Sequence, residues 1–351
     1  MELRDILSDA VNQNASDIFL IAGRPVSFKI KGVIIQQGDD RLKPEDTLSL
    51  VDEMYTMSGG RDAGFRKEGD DDFAISLPEV GRFRVNIYKQ RGTWGAVLRV
   101  VAFQMPLLKE TGIPQSVIEL GNLTKGLVLV TGTAGSGKST TMTYIIDYIN
   151  KNRNCHILTL EDPIEYLHKH GNSIVSQREI GIDSPSYSKA LRAAMRESPD
   201  VIFIGEMRDH ETIEIAMTAA ETGHLVFSTL HTIGAANTID RIIDVFPPNQ
   251  QLQIRFQLSM VLKGIVSQQL LRSNDGLVPA FEILEANSAV RTMIRDGKVH
   301  QIDSVILASS HDGMKSMDQS ILELYRAKKI GADTALTYCM NMETMKRNLM
   351  M

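Results

Sequence analysis

The chain has 351 residues, of which 43% are hydrophobic and 23% charged, and its formal net charge at pH 7 is −5. These values are typical of a globular protein of about two domains, and the negative charge gives no support to a basic nucleic-acid-binding domain. Two cysteines exclude a disulfide framework and a four-cysteine metal site, and no apolar run reaches the roughly 18 residues that a membrane-spanning helix needs. We therefore expect a cytoplasmic protein with reduced thiols and no transmembrane segment.

Short strands beside one or two helices are predicted for residues 1–103, which we interpret as a separate α+β domain. Apolar residues recur at helical spacing from Leu3 to Ala10. From Arg82 to Tyr88 polar and apolar residues alternate strictly, which predicts a half-buried strand with one arginine-bearing face. The predicted elements are a helix at 3–10, strands at 17–20 and 27–30, a helix at 44–57, and a hairpin of 82–88 with 93–101. They favour a small antiparallel sheet covered by helices.

Two prolines, Pro106 and Pro114, bracket a predicted linker over residues 104–114, because proline disfavours helix at the residue before it. The rest of the chain, 115–351, is predicted to be an α/β domain in which parallel strands alternate with helices. The predicted strands are 127–131, 156–160, 201–205 and 225–229, the helices between them are 138–151, 187–197 and 209–222, and a strand at 277–284 is expected at a sheet edge. Residues beyond about 287 are expected to be mostly helical.

The residues between the first of these strands and the helix after it fit the pattern G-x-x-x-x-G-K-[ST] of a phosphate-binding loop. Glycines let the backbone wrap closely around a triphosphate, and N–H groups at the helix start face its phosphates. Lys138 is expected to reach the β- and γ-phosphates, and the Ser139 hydroxyl to bind Mg²⁺. The predicted nucleotide-binding residues are Gly132, Thr133, Ala134, Gly135, Ser136, Gly137, Lys138, Ser139 and Thr140.

Polar residues follow three further predicted strands. Glu161 and Asp162 come after the second strand, Glu206 after the third, and His231 after the fourth. Ligands of open parallel sheets bind at the carboxyl ends of the strands. A site that hydrolyses a nucleotide needs a carboxylate to hold Mg²⁺, directly or through its waters, and a group that orients the attacking water. Taken singly, Glu161 could also cap a turn and His231 could be structural.

Phosphoryl transfer also needs positive charge beyond one lysine, and an arginine supplied from outside the site can raise the rate by about 10³–10⁵-fold. Arg82 and Arg84 on the alternating strand, with Arg91 and Arg99 nearby, are one candidate source. Each could equally lie on a solvated sheet face. The alternatives inside the second domain are Arg192, Arg196, Arg208 and Arg241.

These motifs, in this order, resemble type IV pilus retraction ATPases, the PilT-like branch of the secretion ATPase superfamily. The resemblance covers nearly the whole chain. The matching stretches are 161–165 with the family's Asp box, 205–209 with its Walker B segment, 222–232 with its His box, and 240–247 with a further family stretch. Two stretches depart from the family pattern: the loop begins Gly132-Thr133-Ala134-Gly135 instead of Gly-Pro-Thr-Gly, and the retraction-specific Ala-Ile-Arg-Asn-Leu-Ile-Arg-Glu element reads Ala-Val-Arg-Thr-Met-Ile-Arg-Asp at 289–296.

The resemblance implies a PAS-like N-terminal domain and a RecA-like P-loop NTPase domain, with ATP and Mg²⁺ bound between the two. Glu161 is then the general base, and Glu206 helps Ser139 to hold Mg²⁺, partly through water, although the two glutamate roles could be exchanged. His231 would sense the γ-phosphate. The arginines that close onto the nucleotide as the domains rotate would be Arg84 and Arg99.

The resemblance also implies a homohexameric motor that hydrolyses ATP to drive pilus disassembly and twitching motility. Its expected partner is the pilus platform protein, at the cytoplasmic face of the inner membrane, where the motor would be peripheral; no nucleic-acid partner is expected. A pilus-extension or type II secretion ATPase is the nearest alternative, but those relatives usually carry a four-cysteine zinc insert, which two cysteines cannot build. A DNA-handling hexameric NTPase would need a basic channel or stacking aromatics, and only 6% of the residues are aromatic. A regulator that binds nucleotide without hydrolysing it is disfavoured by Lys138, Glu161, Glu206 and His231.

Overall fold

The structure is a computed structural model that describes residues 2–30, 32–58, 69–101, 108–273, 276–309 and 313–350. The chain divides into two compact units. Unit 1 comprises Met1–Gln104 with Pro163–Leu167, and unit 2 comprises Met105–Asp162 with His168–Met351. The predicted boundary at 103 and the first part of the predicted linker, 104–107, lie outside the described residues, and the domain limits remain predictions. Residues 108–111 of that linker form one helical turn.

Unit 1 consists, within the described residues, of an antiparallel sheet and two helices. Its elements are α1 (Leu3–Asn12), β1 (Asp17–Ile21), β2 (Pro25–Ile30), β3 (Val33–Arg41), α2 (Pro44–Met57), β4 (Asp70–Leu77), β5 (Gly81–Gln90) and β6 (Thr93–Val101). The six strands have the order β3-β2-β1-β6-β5-β4. The apolar stripes of α1 and α2 and the inward side chains of the sheet form one core, which includes Leu3, Met54, Phe83 and Leu98. The predicted α+β arrangement is confirmed.

The hairpin of β5 and β6 decides where the arginines of unit 1 lie. Gln90 pairs with Thr93, so the turn has two residues, as in the tightest antiparallel hairpins. In this register Arg84 lies directly opposite Arg99. The inward residues of β5 alternate with these outward ones, as the sequence pattern predicted.

Unit 2 is built, in the part of the chain that the structure describes, around a seven-stranded sheet with helices on both faces. Its first elements are α3 (Leu108–Thr111), α4 (Gln115–Ile118), β7 (Gly126–Thr131), α5 (Lys138–Asn152), β8 (His156–Glu161), β9 (Ile174–Glu179), α6 (Tyr187–Ala194), β10 (Val201–Ile204), α7 (His210–Glu221) and β11 (Leu225–Leu230). They are followed by α8 (Ala235–Asp244), α9 (Pro248–Val261), β12 (Leu262–Ser273), β13 (Gly276–Glu285), α10 (Ser288–Arg295), α11 (Ile302–Ala308), α12 (Met317–Arg326), α13 (Ala332–Tyr338) and α14 (Met342–Leu349). None of the helices in these described ranges is long and apolar enough to cross a membrane.

The strand order in unit 2 is β13-β12-β7-β11-β10-β8-β9. All neighbouring pairs from β12 to β9 are parallel, and β13 alone joins the edge antiparallel. The strands β7, β10 and β11 are buried along their whole length, because separate apolar cores cover the two faces of the sheet. Neighbouring strands end at nearly the same level of the sheet, because Leu230 pairs with Thr131 and Ile204 pairs with Leu160.

The predicted strands of this sheet and its edge strand β13 are confirmed to within about one residue of their bounds. The helix predicted at 187–197 was too long: α6 ends at Ala194, and the chain turns before β10 through Ser198, which has a φ of 51°. The helix predicted from 209 begins at His210, because Asp209 is its N-cap and accepts a hydrogen bond from the Thr212 N–H at 2.9 Å. The sequence analysis did not predict β3, β4, β9, β12, α8 or α9.

We expect Leu98→Ala, in β6, to lower the free energy of unfolding of unit 1 by about 2–5 kcal/mol, because its fully buried side chain would leave a cavity. The matched control is Leu48→Ala in α2, whose side chain is 39% exposed and whose truncation should cost less than about 1 kcal/mol. Urea unfolding of the full chain measures both. Equal losses for the two variants would contradict the core assignment.

Candidate active site

The predicted phosphate-binding loop connects β7 to α5 and depends on two glycines. Gly132 has a φ of 144°, and a Cβ there would lie 2.2 Å from the Gln268 carbonyl oxygen. Gly137 has a φ of 90°, and a Cβ there would lie 2.7 Å from Gln268 Nε2. A side chain at either position would strain the backbone, and at Gly132 it would also collide with the main chain of β12. The loop can therefore hold this course over the sheet only with glycine at both positions.

Lys138, the first residue of α5, is held inside the loop. Its side-chain ammonium donates hydrogen bonds to the carbonyl oxygens of Gly132, at 2.7 Å, and Thr133, at 2.9 Å. The residue is only 8% exposed, so its charge depends on these partners. Its Nζ also lies 3.5 Å from Nδ1 of His231, at the end of the neighbouring strand β11.

The loop contains a buried hydroxyl group that suits the binding of an anion. The Ser136 hydroxyl is buried and has no hydrogen-bond partner within the described ranges. A buried hydroxyl without a partner is costly, and a phosphate oxygen would accept its hydrogen bond. Next to it the start of α5 carries partly buried Ser139 and Thr140, where the helix dipole favours negative charge.

Gln268 anchors the loop and was missed by the sequence analysis. Its Oε1 accepts a hydrogen bond from the Thr141 hydroxyl at 2.8 Å, and both residues are buried. The bond ties the first turn of α5 to β12, which pairs with β7 on the other side of the loop. A signal was present in the sequence, because Ser267, Gln268 and Gln269 interrupt an apolar run that otherwise predicts a buried strand.

Glu206 and His231 lie together with Lys138 at the carboxyl ends of neighbouring strands. The Glu206 side chain is 14% exposed, and its Oε1 forms an ion pair with Arg208 Nε at 2.6 Å. Its Oε2 lies 3.5 Å from His231 Nε2. His231 thus bridges the loop lysine and the carboxylate, and three of the predicted site residues form one cluster.

Glu161 ends β8, which pairs with β10. Its Oε1 accepts hydrogen bonds from the Thr159 hydroxyl, at 2.6 Å, and from Gln177 Nε2, at 3.1 Å. Hydrogen bonds to a carboxylate favour its ionised form and fix its orientation. Gln177 lies on β9, a strand that the sequence analysis did not predict, so this contact could not be foreseen.

Tyr187, the first residue of α6, reaches the same strand ends. A Cβ built on Gly205 would lie 2.8 Å from the Tyr187 hydroxyl oxygen and 3.4 Å from Glu161 Cα. Burial raises the pKa of the Tyr187 hydroxyl, and the negative charges of Glu206, Asp162 and Glu161 raise it further, whereas Arg208 lowers it. The phenol therefore stays protonated at neutral pH and can donate a hydrogen bond. A tyrosine at the start of a helix is typical of core packing, so its sequence position gave no signal.

Arg84 and Arg99 belong to unit 1, where they lie opposite each other on the outward face of the sheet. Arg99 Nε forms an ion pair with Asp17 at 3.0 Å, and Arg84 forms one with Asp72 at 3.5 Å. Both arginine side chains are substantially exposed, 72% for Arg99 and 42% for Arg84. Their assignment to the site stays a prediction.

The donor chemistry at the loop fits magnesium better than a transition metal. Within the described ranges no group of three or more His, Cys, Asp or Glu side chains is arranged to hold a metal ion. Mg²⁺ does not need such a group, because it keeps several waters and takes one or two protein oxygens beside substrate phosphates. Ser139 and Glu206 supply a hydroxyl and a carboxylate oxygen of this kind.

Comparison with known proteins agrees with this geometry. The sequence matches the family described as Type II/IV secretion system protein over residues 2–324. It is 40% identical over 336 residues to the type IV pilus retraction ATPase PilT of Pseudomonas aeruginosa, covering 95% of this chain and 97% of that protein. It is 44% identical over 306 residues to a protein named twitching motility protein of Neisseria gonorrhoeae, covering 86% of this chain and 82% of that protein.

A solved structure has the same fold over the whole length. The crystal structure of the pilus retraction motor PilT with bound ADP matches with a TM-score of 0.90 and 46% identity, covering 99% of both chains. The chain therefore belongs to the type II/IV secretion system protein family and, within it, to the PilT-like type IV pilus retraction ATPases. Unit 2 is its RecA-like domain, as the sequence predicted.

Gly132→Ala tests the close approach of the loop to β12. We expect a lower thermal midpoint and loss of nucleotide binding, since overpacking of this kind costs about 1–3 kcal/mol and the backbone strain adds to it. Gly331→Ala is the matched control: it has no positive φ, and nothing lies within 4 Å of its Cβ position. Differential scanning fluorimetry with and without ADP measures both effects. A Gly132→Ala protein that binds ADP normally would contradict the steric argument.

Proposed function

We propose that this chain binds ATP and Mg²⁺ in the loop of unit 2 and hydrolyses ATP, as one subunit of a hexameric ring, to drive pilus retraction. The single observation that carries the proposal is the cluster of Lys138, Glu206 and His231 at neighbouring strand ends beside an anion-compatible loop. Similarity to PilT, whose structure holds ADP, supports the choice of nucleotide.

In this proposal Lys138 exchanges the carbonyl oxygens of Gly132 and Thr133 for oxygens of the β- and γ-phosphates. The Ser136 hydroxyl and the N–H groups at the start of α5 donate to the same phosphates. Ser139 and Glu206 hold Mg²⁺, partly through water. Bound there, Mg²⁺ would neutralise charge on the phosphates. The full binding set is the one that the sequence predicted, Gly132 to Thr140.

Glu161 is the proposed general base, which orients and deprotonates the attacking water. Its hydrogen bonds from Thr159 and Gln177 support this role, because they hold an ionised carboxylate in one orientation. The ion pair with Arg208 likewise holds the Glu206 carboxylate in one orientation, so the two glutamates could exchange roles. His231 is proposed to sense the γ-phosphate. Its ring lies between Lys138 and Glu206, so movement of Lys138 onto a phosphate would change one of its two neighbours.

Arg84 and Arg99 are proposed to stabilise the developing charge from another subunit of the ring, closing onto the nucleotide as the domains rotate. Their exposure and shared face support this role, since neither guanidinium is enclosed within unit 1. The proposed partner of the ring is the pilus platform protein at the cytoplasmic face of the inner membrane. The motor would be peripheral there and would not require nucleic acid, in keeping with its net charge of −5.

Substitutions of Lys138, Glu206 and Glu161 test the proposed chemistry. Lys138→Ala should abolish ATP hydrolysis and weaken ATP binding, because the loop loses its only buried lysine among the described residues. Glu206→Gln and Glu161→Gln should still bind ATP, and the variant that lacks the base should lose about 10²–10⁴-fold in kcat. Phosphate release and binding of a fluorescent ATP analogue measure the two effects. Lys151→Ala, which removes only a surface pair with Asp147, should behave as wild type. Near-normal turnover in all three variants, Lys138→Ala, Glu206→Gln and Glu161→Gln, would refute the site.

Mixed rings test whether the arginines act between subunits. The Arg84→Ala/Arg99→Ala double variant and Glu206→Gln should each be inactive alone. Mixing the two variants in equal amounts should restore about a quarter of wild-type activity per site. Half of the subunits then have an intact unit 2, and about half of those have a neighbour with intact arginines.

Two controls belong to that mixing experiment. Lys138→Ala mixed with Glu206→Gln should restore nothing, because both defects lie in unit 2. Arg4→Ala, an exposed arginine of α1, should keep full activity alone. No recovery in the arginine mixture would show that the arginines do not act in trans.

A further inference from the structure

The segment between β11 and α8 carries His231 and is fixed at both of its ends. At the first end, Leu230 closes β11 and pairs with Thr131 in the sheet. At the second end, the backbone turns into α8 at Gly234, which has a φ of 88°. Only residues 231–233 lie between these two points. The freedom of the histidine to move therefore depends on how firmly the second end is held.

Two buried side chains from the edge of the sheet hold this second end. Gly234 N–H donates to the Ser267 hydroxyl oxygen at 2.9 Å, and Ala235 N–H donates to Glu282 Oε1 at 2.7 Å. Ser267 on β12 and Glu282 on β13 lie directly opposite each other, and they are 0% and 5% exposed. Glycine at the N-cap has no side chain to accept a bond from the first turn of α8, so these acceptors come from other strands. We call Ser267 and Glu282 the anchor pair.

A buried hydroxyl within α8 connects the held end to the residue that follows His231. The Thr238 hydroxyl donates to the Gly234 carbonyl oxygen at 2.7 Å. Its oxygen also lies 2.7 Å from the Thr232 hydroxyl oxygen. Because a hydroxyl has one hydrogen to donate, Thr238 accepts from Thr232. A shift at the anchor pair would therefore reach the neighbour of the histidine.

The same stretch of β12 also holds the phosphate-binding loop. Gln268 follows Ser267 directly and accepts the hydrogen bond of the Thr141 hydroxyl at 2.8 Å. Successive side chains of a strand point to opposite faces of the sheet, so the two residues hold segments on different faces. Adjacent residues of one strand thus fix the segments that carry Lys138 and His231.

We propose that Ser267 and Glu282 are positioning residues, which hold the segment after β11 so that His231 faces Lys138 and the γ-phosphate of bound ATP. The inference rests on the ATP hydrolysis proposed above and assigns residues that support it from outside the site. The histidine ring lies 3.5 Å from Lys138 Nζ and 3.5 Å from Glu206 Oε2, so a small shift of the segment would break both contacts. Misplacement by about 1 Å can cost about 10²-fold in rate.

A purely structural role, in which the anchor pair only caps α8, is the competing explanation. Ser267→Ala removes one hydroxyl and leaves one buried N–H without its acceptor. The matched control is Ser320→Ala in α12, because Ser320 is 6% exposed and accepts the Phe281 N–H of β13 at 3.0 Å. Both variants lose the same kind of bond and should lower the thermal midpoint by similar amounts. A positioning role predicts that Ser267→Ala alone also slows the reaction.

The experiment measures single-turnover ATP cleavage by the full-length variants, with ADP binding as a second readout. For Ser267→Ala we expect the rate constant to fall about tenfold. Its ADP affinity should stay within about twofold of wild type, because the loop at 132–140 is unchanged. Glu282→Ala should behave in the same way, whereas Ser320→Ala should cleave ATP as wild type does. A wild-type rate in Ser267→Ala or Glu282→Ala, or an equal loss of rate in Ser320→Ala, would overturn the inference.

Adding Ser267→Ala to His231→Ala tests whether the anchor pair acts through the histidine. Substitutions that act through one group are not additive, so in this background we expect a further change of less than about twofold. A repeated tenfold loss would overturn the inference. If wild type does not cleave ATP, or if His231→Ala cleaves it as wild type does, the proposed function fails and the inference fails with it. A slow His231→Ala beside a wild-type rate in Ser267→Ala overturns the inference alone.

Discussion

The parallel pairing of β7, β11, β10 and β8 fixes where the candidate site groups of unit 2 lie. Parallel neighbours in a common register end at the same edge of the sheet, and each of these strands is followed directly by a polar or loop segment. A slip of one residue in any pair would turn a buried strand's apolar side chains to the wrong face, so the cores on both sides of the sheet hold the register. Packing energy thus fixes the positions of the polar groups of the candidate site, which contribute little to that energy themselves.

The polar groups at this edge form one chain of contacts. Arg208 pairs with Glu206, Glu206 lies near His231, and His231 lies near Lys138, which in turn is held by carbonyl oxygens of the loop. Partly buried charges without such partners would lower the stability of the folded state. The arrangement also means that a change at one member, such as a phosphate at Lys138, alters the surroundings of the next. Such coupling between neighbouring groups is what a nucleotide site needs if binding or hydrolysis is to change the conformation of another part of the motor.

The sequence was sufficient for the features that a local pattern encodes. The loop follows from its glycine and lysine spacing, and β7, β10 and β11 follow from uninterrupted apolar runs, because strands covered on both faces need no polar alternation. It was insufficient where partners come from distant segments. The contact of Gln268 with Thr141 joins residues 127 positions apart, and β12 was hidden by the polar residues that make that contact. Strand β4 was hidden by Asp70, Asp71 and Asp72 at its start, and Tyr187 by its resemblance to an ordinary core aromatic.

The bonds of Lys138 to its own loop have a consequence for turnover. In the folded chain the ammonium group of Lys138 is almost buried and donates to two carbonyl oxygens of its own loop. In the binding proposed above, the phosphate oxygens of a nucleotide replace these carbonyl oxygens as partners of the ammonium group, and no hydration shell has to be removed from the cation in that step. On the same proposal, these carbonyl oxygens can accept hydrogen bonds from Lys138 again when the product leaves, so the empty loop does not contain a buried charge without partners. An ATPase that turns over repeatedly needs a binding loop that keeps its conformation both with and without nucleotide.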